Sequence, residues 1–115
     1  MVVRGRLRDP GAAPASGEEM HELLSQRNLV VEQILSAASS EPAAYLQEQD
    51  EWVVLLAGRA SMIVGGEPIE LGAGDWVFLP ARVPHAVLRT DQGTSWLAVH
   101  LHPAEPSVRV RGDLT

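Results

Sequence analysis

A chain of 115 residues with 45% apolar residues can build one hydrophobic core and therefore one domain. With no cysteine, disulfides, thiolate zinc sites and a Cys nucleophile are excluded, and with no lysine so is Schiff-base chemistry. The formal charge of −6 argues against a nucleic-acid partner, which would need a basic face to neutralise phosphates.

No apolar run approaches the roughly 18–20 residues that a membrane-spanning helix needs. Arg4, Arg6 and Arg8 are not followed by an apolar stretch, so they do not read as a secretory signal. The expectation is a soluble, cytoplasmic protein without membrane contact.

In chain order, residues 1–17 are rich in Gly, Pro, Ala and Ser and read as a flexible or extended tail. Val2 and Val3 could pair with a sheet edge or a partner. Ser16 suits a helix N-cap, with Glu18 and Glu19 in the first turn where the helix dipole favours acids. This predicts a short helix to about Gln26, burying Met20, Leu23 and Leu24 and leaving His21 at the surface.

From Asn28 the period changes, and LVVEQILSA reads as a strand. Ser39 to Pro42 form a loop, because proline disfavours helix before it and cannot donate to a ladder. AAYLQEQD fits either a turn of helix or a strand, and the run that follows it favours strand. WVVLLAG, a continuous apolar run, reads as a strand buried on both faces. Gly65-Gly66 marks a tight hairpin after RASMIV, since paired glycines accept positive φ. EPIEL, DWVFLP, HAVLRT and SWLAVHLH continue the meander, and SVRVR reads as a further edge strand. Seven or eight short strands separated by turn signals imply an all-β antiparallel sandwich or barrel, with 18–115 as its single domain.

Two spacings are more specific than strand propensity. Glu51 is followed by six residues and Gly58; Gly74 is followed by five residues and Pro80, with His85 five positions further on. Over residues 28–102 this resembles the cupin superfamily, whose motifs read G-x5-H-x-H-x3-4-E-x6-G and G-x5-P-x-G-x2-H-x3-N. The resemblance implies a double-stranded β-helix, or jelly-roll barrel. It also implies a barrel-interior site for a divalent metal (Zn, Mn, Fe or Ni), a small polar ligand, or both.

The chain departs from the family at several positions. The paired histidines fall on Tyr45 and Gln47, or on Ala44 and Leu46 in the longer spacing. Arg82 replaces the second-motif glycine and Arg89 the terminal asparagine. The resemblance thus carries over Glu51 and His85 alone as ligand-type residues. Gln47 could add an amide oxygen, giving Gln47, Glu51 and His85 as the candidate metal set. Without a metal, Glu51 and His85 would hydrogen-bond each other.

Alternation along the strands puts Arg89 on the His85 side and His100 on the same face as Trp96 and Ala98. With Tyr45 from the motif position, Arg89 and His100 are candidate cavity-lining residues, Arg89 fitting equally well a strand end that faces water, and His102 is an exposed one. Trp52 and Trp76 read as sheet-packing or interface residues, and with both faces of WVVLLAG apolar a homodimer is expected, formed sheet to sheet or by strand addition from residues 2–8. The candidate functions are a metal-dependent enzyme on a small polar molecule, a non-catalytic small-ligand sensor or binding module, and a structural barrel. No organic cofactor is implied.

Overall fold

The structure is a computed structural model that describes residues 1–104; SVRVR lies outside the described residues. Nine strands run in order: β1 (Glu18–Gln26), β2 (Leu29–Ser36), β3 (Ala43–Tyr45), β4 (Asp50–Ala57), β5 (Arg59–Val64), β6 (Glu67–Gly72), β7 (Trp76–Leu79), β8 (His85–Thr90) and β9 (Thr94–Leu101). They form two antiparallel sheets, ordered β1-β2-β9-β4-β7 and β3-β8-β5-β6. The two inner faces enclose a core of Val53, Leu55, Ala60, Met62, Leu71, Leu79, Trp96 and Ala98. This is the expected all-β jelly-roll barrel.

The turns follow from residues that tolerate positive φ. Gly65 and Gly66 (φ 55° and 85°) close β5 onto β6 with Val64 opposite Glu67. Gly58, at φ 88° between β4 and β5, passes so close to Thr94 that a Cβ there would lie 2.5 Å from its Oγ1 and 2.7 Å from its Cα. The glycine of E-x6-G is thus a steric requirement of the β4–β5 connection.

Three expectations are corrected. The segment Glu18–Gln26 is β1, not a helix; the only helical turn among the described residues is the 3₁₀ turn Pro10–Ala12. A two-residue turn, Arg27-Asn28, joins β1 to β2, so pairing is cheap to initiate and covers an edge that β2 would otherwise leave open. Met20, Leu23 and Leu24 are correspondingly exposed. The run WVVLLAG is apolar on both faces but not buried on both. Glu51, Val53 and Leu55 point inward, Trp52 and Val54 are half-buried on the outer face, and Leu56 is exposed. Residues 43–50 are strand only at Ala43–Tyr45 and from Asp50, with a loop between.

The N-terminal segment is held from Arg8 onward. Gln33, on the outer face of β2, accepts from the Arg8 amide (2.8 Å) and donates to the Arg8 carbonyl (3.0 Å). Gln92 donates to the Pro14 carbonyl at 2.9 Å. Residues 1–7 are exposed.

Candidate functional site: a carboxylate-rich cavity inside the barrel

A cavity of about 90 Å³ opens between the sheets. Its apolar floor is Val53, Met62, Leu79, Val87 and Trp96, and its polar groups are Glu18, Glu32, Tyr45, Gln47, Glu51, His85 and His100. Strand register explains which groups meet. Tyr45 on β3 pairs with His85 on β8, and their rings stack with centroids 5.5 Å apart. Glu51 on β4 pairs with His100 on β9. Glu32 on β2 lies opposite Ala98, one inward step from His100.

The polar groups form a hydrogen-bonded set. Gln47 Nε2 donates to Glu51 Oε1 at 2.8 Å. His100 Nε2 lies 2.7 Å from Glu32 Oε2, while Gln49 Nε2 lies 3.3 Å from His100 Nδ1. With Gln49 as donor, Nδ1 accepts, and Nε2 carries the hydrogen given to Glu32. His85 Nδ1 makes a long contact, 3.4 Å, to the Val83 carbonyl, which can only accept; its Nε2 is left as an acceptor. Glu51 and His85 are 8% and 5% exposed, so both are removed from bulk water. Glu51 Oε2 has only His100 Nε2 nearby, at 3.9 Å, beyond hydrogen-bond range. Burial, followed by the charges of Glu18 and Glu51, raises the Tyr45 phenol above its ordinary value of 10.0 and keeps it a neutral donor.

Five of the six residues singled out from the sequence, Tyr45, Gln47, Glu51, His85 and His100, line this cavity. Arg89 does not. Leu88 is a bulge between the pairs Val87–Met62 and Arg89–Ser61, which breaks the alternation that would have kept Arg89 beside His85. Arg89 is exposed and lines an adjoining recess, which shares Glu18, Tyr45 and Val87 with the cavity. His102 is exposed beyond the end of β9. Glu51 does not bond His85; its carboxylate takes the Gln47 amide.

Glu32 escaped the sequence reading, although a charged residue inside the apolar run LVVEQIL was a usable signal. Glu18 and Met20 escaped because they were placed on a helix.

The donor set does not fit a resident transition metal. Among the described residues, no three His, Cys, Asp or Glu side chains converge as metal ligands. The residue at one histidine position, Gln47, turns an N–H donor onto the carboxylate that a metal would need.

A jelly-roll barrel with a polar cavity between its sheets defines the class: a small single-barrel protein. Within that class, the family model for the cupin domain matches residues 31–100, and the chain belongs to the cupin family. A solved protein from Ralstonia eutropha JMP134, provisionally named a mannose-6-phosphate isomerase, is 33% identical. The match covers 86% of this chain and 100% of that one, with a TM-score of 0.73. An RmlC-like cupin from Shewanella frigidimarina NCIMB 400 is 17% identical, over 90% of this chain and 96% of that one, with a TM-score of 0.67. The Cupin_2 domain of an XRE family transcriptional regulator from Enterobacter cloacae is also 17% identical, over 76% and 99%, with a TM-score of 0.62. The last two likenesses concern the fold alone. No functionally curated protein matches the chain by sequence.

Proposed function

We propose that this cupin is a small-ligand-binding barrel whose interior works without a resident transition metal. The observation that carries the reading is the Gln47–Glu51 hydrogen bond of 2.8 Å, which occupies one oxygen of the carboxylate from within the protein. The Glu32–His100 contact supports it, because it commits the second inward imidazole in the same way. What remains is a pocket with an apolar floor and a few convergent polar groups, the usual form of a small-molecule site.

The test is elemental analysis of protein purified without chelators, followed by titration with Zn²⁺, Mn²⁺, Ni²⁺ and Fe²⁺. The expected content is well below one metal per chain. A stoichiometric metal that is lost in both His85→Ala and Glu51→Ala would overturn the reading.

The identity of 33% to the protein provisionally named a mannose-6-phosphate isomerase favours a second reading, a metal-dependent isomerase. Against it stands a cavity lining without any arginine to hold a phosphate. Isomerisation of mannose 6-phosphate, assayed with and without added divalent metal, separates the two readings.

A further inference from the structure

We infer that the ligand of this cavity is a small primary alkylammonium, taken up by its charge and its N–H donors. The inference rests on the reading of the barrel interior as a ligand site and names the chemistry of its occupant.

The first support is charge. Three carboxylates, Glu18, Glu32 and Glu51, line the cavity against two imidazoles, with no arginine among them. Even with both imidazoles protonated, the lining keeps a net negative charge and repels carboxylates and phosphates. The nearest cation in the adjoining recess, Arg89, is exposed and makes no ion pair among the described residues.

The second support is hydrogen-bonding sense. Glu51 and His85 are both more than nine-tenths buried and both line the cavity. Among the described residues, Glu51 Oε2 and His85 Nε2 have no hydrogen-bond partner. Both atoms accept. Neither atom is sealed from the cavity, so a ligand that supplies donors there can meet both. An ammonium offers three N–H donors and no acceptor, which matches this set; a phosphate or carboxylate offers the reverse.

The third support is shape. Val53, Met62, Leu79 and Val87 provide an apolar wall for an alkyl chain, and the Trp96 indole lining the same space suits a cation. At about 90 Å³ the cavity is smaller than the roughly 150 Å³ that admits benzene, so the chain is short.

The experiment compares three probes of one size, n-propylammonium, 1-propanol and propionate. Each is titrated into the full chain in EDTA while amide and Trp indole resonances are followed by NMR. Propylammonium is expected to shift the Trp96 indole N–H and cavity amides, binding at least about tenfold more tightly than either other probe, a difference of about 1.4 kcal/mol. Glu51→Gln and Glu32→Gln, which keep shape and remove charge, are each expected to lessen that preference. If propanol or propionate binds in the cavity as well as propylammonium does, the inference falls while the ligand-site reading stands. If none of the three perturbs the cavity, both fall. The comparison on the unaltered protein decides the matter even if a variant does not fold.

Discussion

Tyr45 is the single tyrosine of the chain, which makes its titration directly visible by absorbance. Burial first, then Glu18 and Glu51, hold its phenol above the ordinary 10.0. Its ionisation midpoint in the folded protein is therefore expected above that of free tyrosine, and Glu51→Gln is expected to lower it. Because the unfolded chain releases this proton first, the group costs stability as pH rises from about 10 towards the folded value, and costs nothing below. A midpoint at or below 10 would contradict the burial of Tyr45 and its nearness to the charges of Glu18 and Glu51. Gly58 makes the complementary point about backbone. An added Cβ would meet the backbone of Thr94 at 2.7 Å and would sit on a φ of 88°. Gly58→Ala is expected to cost about 3 kcal/mol in urea unfolding; a loss under about 1 kcal/mol would show that the β4–β5 connection can relax. The motif glycine was visible in the sequence as a spacing, but the Thr94 contact that enforces it joins positions far apart in the chain.

Elements show where local reading gives way. Met20, Leu23 and Leu24 fit a helical stripe, yet Glu18–Gln26 is a strand, because its pairing with β2 is worth more than local propensity. The error had a consequence for the site: with β1 read as a helix, Glu18 and Met20 could not be assigned to the cavity that they line. The N-terminal segment depends on one side chain. Gln33 is almost wholly buried and bonds the Arg8 amide, the Arg8 carbonyl and Ser95 Oγ. Gln33→Leu strands these groups, with an expected cost of about 1–3 kcal/mol and faster hydrogen exchange at the Arg8 amide. Unchanged exchange would mean that the segment is held elsewhere. The strand β8 teaches a second lesson. Alternation put Arg89 beside His85, and one bulged residue, Leu88, undid it. A bulge inserts a single residue without a composition signal, so periodicity cannot reveal it.

At the scale of the molecule, the outer face of the five-stranded sheet remains apolar across β7, β4 and β9. Trp76 and Phe78 are 61% and 48% exposed, and the Trp52 and Trp76 rings lie 6.0 Å apart. The N-terminal segment covers part of this sheet at β2, leaving Trp52, Val54, Leu97 and Val99 half-buried. We propose that a second copy of the chain covers this face, since an apolar patch facing itself across a twofold axis is self-complementary. Sedimentation is expected to give a dimer that Trp76→Glu dissociates. A 12.4 kDa species alone for the unaltered chain would contradict this. Among the described residues no helix is long and apolar enough to cross a membrane.

By itself the sequence determined the barrel. Alternating apolar strands, the glycine turns at 65–66 and the two motif spacings are local features, and each one constrains the chain within a few residues. It also named five of the groups that line the cavity, four of them from the motif spacings and His100 from inward parity along a strand without a bulge. Only the tertiary structure decided what those groups do. Glu32 meets His100 across the β2–β9 pairing, and Gln47 bends back from a loop onto Glu51. The balance of donors and acceptors in a buried site depends on which side chains converge across sheets, and a linear pattern carries no record of that convergence.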